Sequence, residues 1–181
     1  MNKELEQNLA DSLEAKVEML PYISFLLQDL WALGSSPQLY VDLLKPLNLQ
    51  ANNTKVLDLG CGKGAVAITI AKELGFSVTG IDAYEPFLET AKEKAKEFRV
   101  SDLCRFEFGD IKEFIKTAKN FDIVFQTAVG NILGGIKDIV EKLRQTIRPG
   151  GYILYDEGFL KDNVRVDKDG YEHLLPYQET K

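Results

Sequence analysis

The sequence predicts an α/β fold, a three-layer sandwich whose mostly parallel sheet is covered by helices on both faces. Two observations carry that expectation. From Thr54 onward, short β-prone runs alternate with segments whose apolar residues recur at helical spacing, a rhythm that implies right-handed crossovers between parallel strands. Between "KVLDLG" and "AVAITIAKEL", the first such pair, runs the loop Gly60 to Gly64. Glycines at a strand-to-helix turn let backbone approach a ligand closely.

The elements follow in order. Residues 1 to about 20 are expected to form a charged helix, and "PYISFLLQDLWAL" a more apolar one opened by Pro21. In "GSSPQLYVDLLKPLNL", Ser36 can cap a helix, Pro37 suits its first turn and Pro46 ends it. Residues 1–50 thus make an N-terminal helical cap, and 51–181 a ligand-binding domain. "TKVLDLG" and "FSVTGID" are expected strands, with "GAVAITIAKEL" a helix between them closed by Gly75. "EPFLETAKEKAKEF" sets Phe87, Leu88, Ala91, Ala95 and Phe98 on one helical side, its charges forming a solvated face. "CRFEF" is the next strand, "IKEFIKTA" a short helix and "FDIVFQ" a strand. "GGIKDIVEKLRQTI" holds Ile136, Ile139, Val140, Leu143 and Ile147 in helical phase, and "RPGG" turns the chain into a fifth strand, "YILYDE".

Composition narrows the functions open to this fold. The 181 residues suit one domain with a single core. With 22 Lys+Arg against 28 Asp+Glu the formal charge is −6, unfavourable for a nucleic-acid partner. Cys61 and Cys104 have no paired-ligand spacing, which points to free thiols in a reduced, cytoplasmic setting. His173 is the only histidine, so no zinc site or histidine triad, and no metal, is expected. The charged N-terminus has no signal-peptide core, and no apolar run approaches the roughly 18 residues of a membrane span.

The glycine loop admits two ligand classes. Gly60, Gly62 and Ala65 satisfy G-x-G-x-x-G/A, and Asp82 follows at the distance of a ribose-binding acid, as in nicotinamide dehydrogenases. Asp58, just before the loop, opposes that reading. A pyrophosphate on the helix N-terminus would be repelled by a carboxylate in the same crevice. A cofactor with an ammonium and a sulfonium but no phosphate, such as S-adenosylmethionine, would be attracted. The P-loop pattern also fails, since Lys63 is followed by Gly64 rather than Ser or Thr.

"VLDLGCGKG" resembles the first motif of the class I S-adenosylmethionine-dependent methyltransferases. The likeness continues through "GIDAYEPFLETAKEKA", "FEFGDIKEF", "FDIVFQTAVGNIL" and "IRPGGYILYDEG", in order from about residue 54 to 158. The resemblance implies a Rossmann-like sheet of strand order 3-2-1-4-5 and a small-molecule acceptor. It also implies a site: Gly60, Cys61, Gly62 and Gly64 approaching the methionine portion, with Asp58 near its ammonium. Asp82 would accept from the ribose hydroxyls, Ala83 would lie beside the adenine, and Asp110 would accept from its amino group next to Ile111. Gln126 would face the cofactor near the methyl group, and Tyr84, where the family often has a small hydroxyl residue, would crowd or stack near the adenosine.

Transfer from a sulfonium needs alignment in a dry pocket more than it needs a base, and no residue is assigned as base. Thr127 and Asn131 are candidates for positioning an acceptor. The Asn/Asp-Pro-Pro-Tyr/Phe pattern of nucleic-acid amino-methylating enzymes is absent. A protein or RNA methyltransferase, and a non-catalytic cofactor or nucleotide binder, are the alternatives. The N-terminal segment, with Tyr22, Phe25, Leu26, Leu30 and Trp31, is expected to fold over the cofactor edge as a mobile lid. Too little chain follows "YILYDEG" for the family's sixth and seventh strands, so the sequence reads as a truncated domain, or one whose fifth strand is covered by a partner such as a second copy.

Overall fold

In the computed structural model, which describes residues 3–127, 129–130 and 132–156, the chain before the sheet is less helical than its sequence predicts. Helix α1 (Lys3–Ser12) stops early, where Glu14 takes a positive φ of 50°. A 3-10 turn (Val17–Tyr22) and the single turn α2 (Ile23–Leu26) replace the expected long apolar helix. Pro21 sits inside the 3-10 turn rather than opening an α-helix. Helix α3 (Pro37–Leu44) starts with Pro37 in its first turn and passes into a 3-10 turn (Lys45–Leu47).

Beyond this lie β1 (Lys55–Leu59), α4 (Ala65–Leu74), β2 (Ser77–Asp82), α5 (Glu85–Glu97), β3 (Cys104–Phe108), α6 (Ile111–Thr117), β4 (Phe121–Thr127), α7 (Ile136–Arg144) and β5 (Ile147–Asp156). The sheet order is β3-β2-β1-β4-β5, and every pairing is parallel. The fold is therefore Rossmann-like, with the order that the resemblance implies. The strand pairing Asp58↔Gly80 sets the β1–β2 register, and Leu59↔Gln126 sets that of β1 with β4.

Alternation along the strands divides the core into two layers. Val56, Val78, Ile123 and Phe125 pack with Tyr40 and Leu44 of α3, Ile70 of α4 and Leu88 of α5. Leu57, Leu59, Ile81 and Val124 pack on the opposite face with Ile115 of α6 and Ile139 and Leu143 of α7. A third cluster, with Leu9, Leu20, Ile23, Tyr84 and Phe87, fixes the N-terminal segment to the start of α5.

The "RPGG" segment departs from its expected place as a turn outside the sheet. It lies within β5, where the β4–β5 register jumps from Phe121↔Ile147 to Ile123↔Tyr152. The intervening residues leave the ladder, with Gly150 at φ 79°. The Arg148 Nε donates to the Asp122 carboxylate, and the other Asp122 oxygen accepts the Lys55 N–H at 2.7 Å. This ties the irregularity to the start of β1.

Gly64 joins loop to core. At its φ of +74° a Cβ would stand 2.9 Å from Phe106 Cζ and 3.0 Å from Ala91 Cβ. Gly64→Ala should therefore lower stability by about 2–4 kcal/mol, combining left-handed strain with overpacking. Chemical denaturation checks this; a change below the resolution of the measurement would contradict the packing.

Candidate functional site

All strands of this parallel sheet end on one edge, and acidic side chains mark three adjacent ends. Asp58 lies near the end of β1, Asp82 ends β2, and Asp110 follows β3 as the N-cap of α6. These residues and the glycine loop face one cavity of about 550 Å³. Of the residues singled out in the sequence, Asp58, Gly60, Cys61, Gly62, Asp82, Ala83, Asp110 and Ile111 all line it.

The loop leaves β1 with Gly60 and Cys61 donating their N–H groups to Ile81 O (2.8 and 3.1 Å), which holds it over β2. At Gly60, φ is +76° and a Cβ would lie 2.1 Å from Val129 Cγ1, so a side chain there would collide with the wall of the cavity. Asp82 fastens the next turn. Its Oδ2 accepts the Gly62 N–H and its Oδ1 the Tyr84 N–H, each at 2.8 Å. Burial pushes the Asp82 pKa up, and N–H donors from Tyr84, Gly62 and Ala83 pull against it. The carboxylate thus organises the loop before any ligand is considered.

Asp58 has the opposite character. It is 1% exposed, and neither carboxylate oxygen has a hydrogen-bond partner among the described residues. Burial, reinforced by the Asp82 charge, pushes its pKa from 3.8 up to about 7. A buried carboxylate without donors is costly. Such an atom set is suited to a cation brought by a ligand. Asp110 is intermediate: its Oδ1 caps α6 through the Lys112 N–H at 2.8 Å, and the side chain still borders the cavity.

Four of the residues singled out in the sequence also have structural contacts of their own. The Cys61 thiol lies over Gly80, where an added Cβ would be 2.8 Å from its Sγ, and it belongs to the core. Only its main chain can serve a ligand, and burial together with Asp82 and Asp58 pushes the thiol pKa up. Gly64 packs on Phe106 and Ala91 and is not among the cavity-lining residues. Gln126 is in phase with Val124 on the α6/α7 side of β4. Its Nε2 donates to Gly130 O at 3.3 Å, and the cavity wall there is Val129, Gly130 and Ile132. The Tyr84 hydroxyl donates to Leu20 O at 3.0 Å and contacts Ser24 Oγ at 3.1 Å. Its ring packs edge-on against Phe87, so the phenol secures the N-terminal segment. Of the acceptor candidates, Thr127 ends β4 and Asn131 lies outside the described residues.

The N-terminal segment borders the same cavity through Leu5, Leu9, Leu27, Leu30, Trp31 and Leu33. Its attachment to the loop depends on Lys63, whose role sequence reasoning missed. The Lys63 Nζ donates to Leu27 O at 2.5 Å and to Leu30 O at 2.7 Å, while Trp31 Nε1 donates to Lys63 O at 3.0 Å. Burial lowers the Lys63 pKa, opposed by the charge of Asp29. Trp31 also stacks on Phe98 with centroids 5.0 Å apart. Tyr22 and Phe25, expected as apolar cover, are instead 61% and 70% exposed. The single turn of α2 directs Ile23 rather than these rings into the third cluster. No local signal marks Lys63 for this task, because its acceptors lie more than thirty residues away.

A parallel sheet of this order, with a glycine loop after β1 and acids at successive strand ends, defines a Rossmann-like domain built for a nucleoside-containing ligand. The chain belongs to the methyltransferase-domain family, which it matches over residues 50–175. It is 33% identical over 107 residues to a ubiquinone biosynthesis O-methyltransferase of Rickettsia akari, covering 59% of this chain and 41% of that one. A S-adenosylmethionine-dependent methyltransferase structure from Thiobacillus denitrificans, in complex with S-adenosyl-L-homocysteine, superposes with TM-score 0.71 at 28% identity, covering 81% of this chain and 58% of that one. A second such complex, from Geobacter sulfurreducens, gives TM-score 0.66 at 32% identity, with 74% and 53% covered. The chain thus spans only part of the length of these relatives. Among the described residues no helix is long and apolar enough to cross a membrane.

Proposed function

We propose that this domain binds S-adenosylmethionine and transfers its methyl group to a small-molecule acceptor. The observation that carries the reading is Asp58, a buried carboxylate with both oxygens unpartnered beside a loop that would otherwise suit phosphate. The cofactor's ammonium answers that vacancy of donors, whereas a pyrophosphate would add like charge to it. Asp82 retains acceptor capacity for ribose hydroxyls beyond its two N–H bonds. Asp110, with Oδ1 engaged as a cap, has Oδ2 for an adenine amino group, and Ile111 offers an apolar edge. The sulfonium supplies an activated methyl group and leaves as a neutral thioether. The chain's own contribution is to orient the cofactor along the strand ends and exclude water.

The water-excluding part is the N-terminal cap, residues 1–50, acting as a lid over domain 51–181. Support for this comes from Leu27, Leu30, Trp31 and Leu33 at the cavity wall and from the Lys63 bonds that hold them. The net charge of −6 and the named activity of the Rickettsia relative favour a small molecule over nucleic acid. A thermal-shift comparison tests the cofactor. S-adenosylmethionine and S-adenosylhomocysteine at about 100 times their Kd should each stabilise the protein by about 2.7 kcal/mol, raising Tm by roughly 5–10 °C. NAD should leave Tm unchanged; the reverse pattern would refute the proposal.

A further inference from the structure

The acids at β3, β2 and β1 assign those strand ends to the cofactor, which leaves the ends of β4 and β5 for an acceptor. One polar pair stands there. Ser35 lines the cavity, and its hydroxyl donates to Asp156 Oδ2 at 2.5 Å. Asp156 closes β5, paired in register with Thr127 of β4. The same oxygen accepts the Tyr40 hydroxyl at 3.4 Å, and Tyr40 is buried against Phe125. The cavity that Ser35 lines also has apolar residues in its wall, among them Leu33 of the N-terminal segment and Val129 and Ile132 after β4.

A carboxylate held this way is more than a clamp on the N-terminal segment. The Ser35 Oγ keeps two lone pairs while its proton is engaged by Asp156. It therefore presents an acceptor to the cavity, backed by a negative charge. An apolar molecule carrying one hydroxyl would find walls for its body and a single proton-accepting group for its O–H. We propose that Ser35 binds the acceptor's hydroxyl and that Asp156, acting through Ser35, receives its proton, so that the acceptor is an apolar alcohol or phenol. This rests on the methyltransferase reading above.

The step balances. The acceptor oxygen forms a bond to the methyl carbon as the carbon–sulfur bond breaks, its electron pair remaining on sulfur as the thioether. The acceptor's proton moves to Ser35 Oγ as the Ser35 proton moves to Asp156, leaving a methyl ether and a neutral carboxylic acid that returns its proton to water. Ser35 touches the substrate; Asp156 is a positioning and proton-accepting residue.

The test uses the full chain saturated with S-adenosylhomocysteine and two probes of nearly equal shape, 2-naphthol and 2-methylnaphthalene, titrated by fluorescence. The unaltered protein should bind 2-naphthol about tenfold more tightly or better, since a site built around a hydroxyl rejects its apolar isostere. Ser35→Ala and Asp156→Asn should reduce that preference to within about threefold while S-adenosylhomocysteine affinity is kept, and Ser35→Thr should retain it. A merely structural Ser35–Asp156 bond would shift both probes together. Absence of hydroxyl preference, its persistence in both variants, or failure of both probes to bind would overturn the proposal while cofactor binding stood. Failure of S-adenosylhomocysteine to bind would remove the methyltransferase reading and this proposal with it.

Discussion

Asp58→Asn should give a protein that is more stable at pH 8 and binds the proposed cofactor much more weakly. Burial raises the Asp58 pKa from 3.8 to about 7, so the folded state holds a proton that the unfolded chain releases. Stability then falls as pH rises between those two values, and the whole penalty is present above about pH 7. At about 1.36 kcal/mol per pKa unit, this shift amounts to about 4 kcal/mol. Asparagine removes the charge but leaves a buried amide short of partners, so the net gain should be about 2–4 kcal/mol at pH 8, or roughly 4–15 °C in Tm. Near pH 4 the two proteins should melt alike, because the native carboxyl is then neutral. Loss of the carboxylate leaves a ligand ammonium unpaired in the cavity, a deficit of about 2–5 kcal/mol, or roughly 30- to 5,000-fold in affinity. The unaltered protein should bind best at roughly pH 7–8, with Asp58 ionised and an α-amino group (pKa about 7.7–8.0) still protonated. Calorimetry in buffers of different ionisation enthalpy should show proton release on binding below pH 7. A destabilised variant at pH 8, or one that binds S-adenosylhomocysteine normally, would contradict the assignment.

What could be foreseen from sequence depended on how local its cause was. "CRFEF" became β3 with the expected limits because period-two alternation is written in the residues themselves. Gly75 closes α4 in the left-handed conformation, at φ 69°, for a reason equally local. The acids at the strand ends were legible because a parallel fold delivers them all to one edge. Contacts that the sequence does not announce answer to distant partners. Cys61 lies in a ligand loop, yet the missing side chain at Gly80 on the neighbouring strand draws its thiol into the core. Tyr84 follows Asp82, proposed here to bind the ribose, yet its hydroxyl reaches Leu20 in a segment sixty-four residues earlier. Nothing around Ser35 announces Asp156, which is one hundred and twenty-one positions away. The N-terminal segment shows the same limit: its apolar residues suggest a helix opened by Pro21, but the segment forms short turns that bond to Tyr84 and Lys63.

Asp82→Ala should weaken S-adenosylhomocysteine binding by about 1.5–3 kcal/mol, the scale of hydrogen bonds to a charged group. Two contributions are expected, and they can be separated. One is direct, the loss of an acceptor for the ribose hydroxyls. The other is preorganisation, because the carboxylate also holds the Gly62 and Tyr84 N–H groups. Without it the glycine loop keeps its bonds from Gly60 and Cys61 to Ile81 O, but the turn at Gly62 is released. Asp82→Asn retains an acceptor oxygen for one N–H and sheds the charge, so its loss should be smaller than that of alanine. It should also relieve Asp58, since the Asp82 charge contributes to the raised pKa there. The Asp58-linked proton release should accordingly move to lower pH in both Asp82 variants, even as affinity falls. Comparing S-adenosylhomocysteine with its 2′-deoxy analogue isolates the direct part: the analogue should lose affinity against the unaltered protein and far less against Asp82→Ala. Equal discrimination by both proteins, with the fold intact by circular dichroism, would place Asp82 in loop support alone and leave the ribose to another residue.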